Sequence, residues 1–119
     1  MRDDKENLIV DKTFNFALGI IDFTEKLRSL RKYEMSSQLF RSGTSIGANV
    51  WEAQNAESNA DFIHKFKIAA KEADETNYWL KLCKASPHYP DPVPEMFTEL
   101  ESVTRITSKI ISSSKKSRG

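Results

Sequence analysis

The sequence predicts an all-α fold, a single domain over residues 1–119 built as an antiparallel up-down four-helix bundle. Two observations point to this class. Apolar side chains recur at alternating steps of three and four residues in four segments, and short links join those segments. The chain also has only four glycines and four prolines, which argues against a turn-rich β fold. A chain of this length holds one domain with its own core.

The first segment, about 8–31, is apolar on more than one face. Two apolar stripes run along it about 100° apart, whereas a surface helix of a monomer needs one. We expect one stripe to face the bundle and the other a neighbouring subunit, with a fully buried central helix as the alternative. One stripe comprises Ile9, Phe16, Ile20, Phe23, Leu27 and Leu30, and the other Val10, Phe14, Ala17, Ile21 and Thr24. The candidate subunit-interface residues are Phe16, Ile20, Phe23 and Leu27.

The second segment, about 33–56, predicts one helix with two interior glycines. Each glycine costs roughly 0.5–1 kcal/mol relative to alanine, so a loop between two short helices is an alternative. The apolar stripe keeps its phase from Met35 to Ala53, which favours one helix. Gly43 and Gly47 lie nearly on one face and are expected to allow close approach of another helix.

The third segment, about 59–86, is the clearest helix. Ser58 with Asp61 three residues later is a capping pattern, and Pro87 cannot continue the helix. Apolar residues follow in heptad steps from Phe62 to Cys83. Two small residues on this stripe are expected to pack closely against another helix: Ala69 and Ala73.

The fourth segment, about 93–112, follows a proline-rich connector. Pro92 or Pro94 suits the first position of the helix. Residues 113–119 have no apolar content and are expected to form a disordered tail.

The charge and the termini limit the classes of protein. Eighteen basic and seventeen acidic residues leave a net charge of +1, which excludes a strongly basic nucleic-acid binder of the usual kind. The charged N-terminus lacks the apolar run of a signal peptide, and no stretch reaches the ~20 apolar residues of a membrane span. We therefore expect a cytoplasmic protein without a membrane partner.

No constellation of side chains predicts catalysis. His64 and His88 lack a metal-ligand partner at helical spacing, and the lone Cys83 falls on an apolar stripe. Glu72 and Glu75, one helical turn apart, are expected to form ion pairs. We therefore expect no metal, no cofactor, no small-molecule substrate and no enzymatic activity.

Basic residues of the third helix are the candidate nucleic-acid contacts. They alternate with acidic residues, so a solvated face is the simpler interpretation and a weak phosphate-binding surface the sharper one. Trp51, Tyr78 and Trp79 are expected to serve in packing rather than in base stacking. The candidate nucleic-acid-binding residues are Lys65, Lys67, Lys71, Lys81 and Lys84.

Several motifs together carry a family resemblance. They are residues 38–49 (QLFRSGTSIGAN), Glu52-Ala53, Ser58 with Asp61-Phe62, and residues 71–76 (KEADET) with 78–80 (YWL). The sequence resembles the bacterial four-helix-bundle proteins named after open reading frames in 23S ribosomal RNA intervening sequences. The resemblance covers roughly residues 7–86.

The resemblance implies an antiparallel bundle that assembles into a homopentameric ring, with no established catalytic residues and no cofactor. A related accessory protein of diversity-generating retroelements is similar in fold and works with a reverse transcriptase and nucleic acid. The expected function is therefore a non-enzymatic, homo-oligomeric accessory that binds RNA, DNA or a nucleic-acid enzyme. The alternative is a protein-interaction or structural scaffold without a nucleic-acid role.

Overall fold

The computed structural model describes the backbone of residues 4–117 and the side chains of residues 8–116. Within that part of the chain, all regular structure is helical and no strand occurs. The elements are α1 (Asp4–Ser29), α2 (Tyr33–Ala53), α3 (Asn59–Ala85) and α4 (Pro94–Ser117). The molecule is elongated, measuring 50 × 21 × 19 Å.

Each helix packs against two others around one core. The contacts join α1 to α2, α2 to α3, α3 to α4 and α4 back to α1, and over the described residues the diagonal pairs do not meet. Side chains from all four helices fill the centre. Its fully buried members include Leu27, Leu39, Phe66, Leu80 and Val103.

Local chemistry determines both ends of α3. The Ser58 hydroxyl accepts a hydrogen bond from the Asp61 backbone N–H at 3.0 Å, and the Asp61 carboxylate accepts one from the Glu57 N–H at 3.2 Å. The first bond satisfies a backbone donor that a helix start leaves free, and the second ties the residue before the cap to the first turn of α3. At the other end, Ser86 is extended because it precedes Pro87.

A left-handed arginine ends α1. The Arg31 N–H donates to the Arg28 carbonyl at 2.9 Å, and the Lys32 N–H donates to the Leu27 carbonyl at 2.8 Å. This pair of bonds is the Schellman arrangement, in which the left-handed position is usually glycine. Arg31 occupies it with φ 62°.

The helix limits differ from the sequence-based predictions at several ends. The α1 helix begins at Asp4 rather than 8 and ends at Ser29 rather than 31, where the Schellman turn begins. The α2 helix ends at Ala53 rather than 56. The Asn55 N–H donates to the Glu52 carbonyl at 3.0 Å, a tighter turn that closes the helix.

The predicted disordered tail is wrong for residues 113–117, because α4 continues to Ser117. Ile110 is buried, and the Asn59 side-chain amide donates to the Ser114 carbonyl at 3.1 Å. These contacts hold the last turns of α4 beside the start of α3, which composition alone does not reveal. Residues 118 and 119 lie outside the described residues.

Close contacts of small residues bring the helices together. A Cβ on Gly43 would lie 2.7 Å from the Ile20 Cγ1, and one on Gly47 would lie 3.1 Å from the Thr13 carbonyl oxygen. On α3, Ala69 and Ala73 are both buried in the core. The two glycines therefore face α1, which explains why α2 runs helically through residues of low helix propensity.

Candidate functional site

The residues expected at a subunit interface lie in the core of the single chain, so that expectation is wrong. Phe16, Ile20, Phe23 and Leu27 are each between 0% and 7% exposed. They point inward because α1 packs against both α2 and α4, which cover that stripe. A side chain already buried within one chain has no surface left for a second subunit.

The other stripe of α1 carries the exposed apolar side chains. Phe14 is 55% exposed, and Leu18 and Ile21 lie on the same side of the helix, also exposed. On α2, Phe40 and Trp51 are exposed, and Trp51 reaches 60%. We call these five residues the α1–α2 apolar face.

A groove of about 280 Å³ runs between α1 and α2 within this face. Phe14 and Trp51 line it from the two helices, and Ala17 and Ala48 contribute small side chains. No residue that lines it is charged. Gly47 also lines it, and its close approach to Thr13 limits the depth of the groove. The result is a shallow apolar surface suited to another apolar surface.

The structure divides the five candidate nucleic-acid lysines. Lys67 and Lys71 are exposed and fall on the outer side of α3 by helical rotation, whereas the exposed Lys81 lines a pocket between α3 and α4. Lys65 instead lies beside α2, where its Nζ is 2.9 Å from the Glu52 Oε1. Lys84 sits beside α4, its Nζ 5.6 Å from the centre of the Phe97 ring. The lysines therefore do not form one patch.

An ionic network joins α2 to α3. The Arg41 guanidinium donates to the Glu72 carboxylate at 3.2 Å and also to Glu75. The Trp79 indole N–H donates to Glu75 at 3.0 Å. These bonds, with that of Arg41 first, hold the pKa of Glu75 below its ordinary value. Trp79 thus has a structural partner and is half-buried against the core.

The candidate chemical groups lie apart from one another. Cys83 is buried, and this burial raises the pKa of its thiol to about 11. His64 and His88 are exposed, on α3 and on the connector after it. Within the described residues, no three histidine, cysteine, aspartate or glutamate side chains gather closely enough to hold a metal ion. Over the same residues, no helix is long and apolar enough to cross a lipid bilayer.

Sequence reasoning missed two of the five residues of the α1–α2 apolar face. Phe14 and Ile21 belong to the second apolar stripe of α1, so their pattern was visible. Leu18 and Phe40 lie outside the stripes that the periodicity singles out. A signal was nevertheless present, because each is a large apolar residue on a helix whose core stripe is already complete.

These features define the class of protein: a four-helix protein with an exposed apolar face. The chain belongs to the 23S rRNA-intervening sequence protein family, whose model matches residues 5–113. A solved structure from Bacteroides thetaiotaomicron VPI-5482, described as a protein of unknown function from the S23 ribosomal protein family, is similar at 39% identity and a TM-score of 0.85. The match covers 91% of this chain and 98% of that one. No curated protein matches the chain.

Proposed function

We propose that this protein is a non-enzymatic, homo-oligomeric accessory protein that presents a nucleic-acid-binding surface. The observation that carries the proposal is the α1–α2 apolar face, whose large side chains are exposed in the single chain. Soluble monomers rarely leave extensive contiguous apolar patches open to water. Tryptophan and other aromatic side chains are also frequent anchors of protein interfaces.

The proposed subunit is an antiparallel up-down bundle. Contacts between neighbouring helices pair rising residue numbers on one helix with falling numbers on the next. Gly43 meets Ile20 whereas Gly47 meets Thr13, and Arg41 meets Glu72 whereas Glu52 meets Lys65. Both sets of pairs support opposite directions for adjacent helices.

The proposed occupant of the α1–α2 apolar face is a second copy of the chain. The groove contains no charged lining residue, so a different apolar surface of the next copy can cover it without burying an unpaired charge. Repetition of one heterologous contact closes a ring when the rotation permits. Five copies is the number that the family resemblance implies.

The proposed nucleic-acid surface is the outer side of α3. Lys67 and Lys71 are exposed there, whereas Lys81 and Asp74 line a pocket between α3 and α4. One subunit offers a weak surface, but a ring repeats it and gains affinity from multivalency.

The buried Cys83, whose thiol pKa is raised, supports a non-enzymatic role and a reducing, cytoplasmic location.

A scaffold without nucleic acid is the second candidate. The near-neutral net charge of +1 favours it, since phosphate contacts depend on cations. In that case the α1–α2 apolar face still assembles the ring, and α3 and α4, which lie outside that contact, hold a protein partner.

The first test is the absolute mass in solution, measured by light scattering on a sizing column. The expected result for wild type is a multiple of the 13.6 kDa chain, about five copies. Phe14→Glu combined with Trp51→Glu should give a helical monomer. Tyr78→Glu is the matched control, because Tyr78 is similarly exposed but lies on α3. A wild-type monomer, or a double variant of unchanged mass, contradicts the proposed assembly.

The nucleic-acid proposal is tested on the same assembly by binding of RNA and DNA at several salt concentrations. Lys67→Ala with Lys71→Ala should weaken binding and reduce its salt dependence. Lys109→Ala, an exposed lysine of α4, is the control. Absence of binding near 50 mM salt favours the scaffold.

A further inference from the structure

A pocket lies where the α1–α2 turn meets the connector between α3 and α4. Its volume is about 490 Å³, within the usual range for small-ligand sites. Residues 31–35 line it from one side, and His88 and Tyr89 line it from the other. It lies away from the groove between Phe14 and Trp51 and shares no lining residue with it.

Two pairs of a cation and a tyrosine stand at this pocket. The Arg28 Cζ lies 5.6 Å from the centre of the Tyr33 ring, and the Lys32 Nζ lies 5.9 Å from the centre of the Tyr89 ring. Tyr33 is nevertheless 53% exposed, so much of its surface is open. Exposed aromatic rings beside cations are the chemistry that holds a stacked base with its phosphate.

Arg31 adds a third cation at a position that favours glycine. It lines the pocket, is exposed, and adopts φ 62° at the end of α1. An L-residue there costs about 1–2 kcal/mol, a strain that glycine avoids. Strained residues concentrate at functional sites, where the side chain justifies the cost. Arg31 therefore adds a cation to the pocket at a position where glycine would add none.

We infer that this pocket, which we call the turn pocket, binds one nucleotide unit of a single-stranded nucleic acid. The base stacks on the exposed ring of Tyr33, and Arg31 and Lys32 contact the phosphate. The inference deepens the proposed function, because it rests on a nucleic-acid role and names the site. Glu34 also lines the turn pocket, and its carboxylate repels phosphate. Removing this charge should therefore strengthen RNA binding, whereas the other substitutions weaken it.

The experiment measures fluorescence anisotropy of a labelled ten-nucleotide single-stranded RNA with the intact full-length protein at about 50 mM salt. Tyr33→Leu keeps a good helix former and removes the ring, and should weaken binding about fivefold or more. Glu34→Gln should tighten binding. Helicity and mass are measured for each variant.

Arg31→Gly separates binding from folding. It should weaken RNA binding severalfold, yet raise the thermal midpoint by about 4 °C because the left-handed strain disappears. A variant that is more stable but binds less cannot be explained by unfolding. Unchanged binding by both Arg31→Gly and Tyr33→Leu overturns the turn pocket.

The remaining outcomes distinguish this inference from the proposed function. If wild type binds and only Lys67→Ala with Lys71→Ala weakens it, the turn pocket is wrong and the α3 surface stands. If wild type binds neither RNA nor DNA, the turn pocket and the nucleic-acid part of the proposed function both fail. Adenosine monophosphate should compete poorly. If adenosine monophosphate displaces the RNA at a concentration as low as the RNA itself needs for binding, the turn pocket binds free nucleotides. That result would overturn the inference that it binds a single-stranded nucleic acid.

Discussion

The backbone of Gly43 in α2 lies directly against the side chain of Ile20 in α1. A Cβ at Gly43 would be 2.7 to 2.9 Å from three carbons of that isoleucine, which is fully buried. The contact replaces a side chain on α2 with a side chain from α1. The isoleucine side chain thus fills the space that the glycine leaves empty, and the two helices pack closely at this point.

Alanine at two glycines should change stability in opposite directions. Gly43→Ala overpacks the contact with Ile20 and should lower the free energy of unfolding by about 1–3 kcal/mol. Gly19→Ala meets nothing within 4 Å and should raise it by about 0.5–1 kcal/mol through helix propensity. Urea unfolding followed by circular dichroism measures both. A stabilising Gly43→Ala would contradict the packing described for α1 and α2.

The hydroxyls of Ser42 and Thr76 should stabilise the fold as a coupled pair, so that their contributions to the free energy of unfolding are not additive. They lie 2.9 Å apart between α2 and α3, and both residues are fully buried. Thr76→Val leaves the Ser42 hydroxyl without this partner and should cost about 1–3 kcal/mol of unfolding free energy. Adding Ser42→Ala should recover part of that loss, as a double-mutant cycle in urea would measure. Strict additivity of the two changes would show that the pair is not coupled.

Glu75 should contribute to the acid sensitivity of the fold. The bonds from Arg41 and Trp79 lower its pKa from the ordinary value of 4.5. Its stabilising contribution is therefore complete above about pH 4.5 and is lost as the pH falls through the folded pKa. The Arg41 side chain is 52% exposed, so we expect less than about 1 kcal/mol.

Glu75→Gln tests this contribution through unfolding free energy measured from pH 3 to pH 7. The variant should lose a little stability at pH 7 and show a shallower decline in acid. Glu25→Gln, at an exposed position on α1, should leave the decline unchanged. Equal effects of the two substitutions would show that the bonds of Glu75 to Arg41 and Trp79 do not cause the acid sensitivity.

Cys83 should resist alkylation in the folded protein. Burial raises the pKa of its thiol to about 11, and the side chain is inaccessible. Modification by a maleimide at pH 7 should therefore be slow in buffer and fast in denaturant. Mass spectrometry reads the reaction directly because the chain has one cysteine. Rapid labelling of the native protein would place the thiol nearer the surface.

Much of the fold was predictable because heptad spacing and capping residues act locally. The cap at Ser58 and the end of α3 before Pro87 depend on neighbours in the chain. The end of α1 was less visible, since its left-handed residue is Arg31 rather than glycine. The last turns of α4 were missed because the bond from Asn59 to Ser114 joins residues 55 positions apart.

The candidate site was only partly predictable, for a geometric reason. Both stripes of α1 satisfy the helical period, and local sequence cannot choose which one faces inward. The sequence by itself determined the number, order and type of the helices, together with the two apolar stripes of α1. Only the tertiary structure decided that Ile20 meets α2 while Phe14 faces solvent. That choice depends on how each helix rotates about its axis, which packing against the other helices sets.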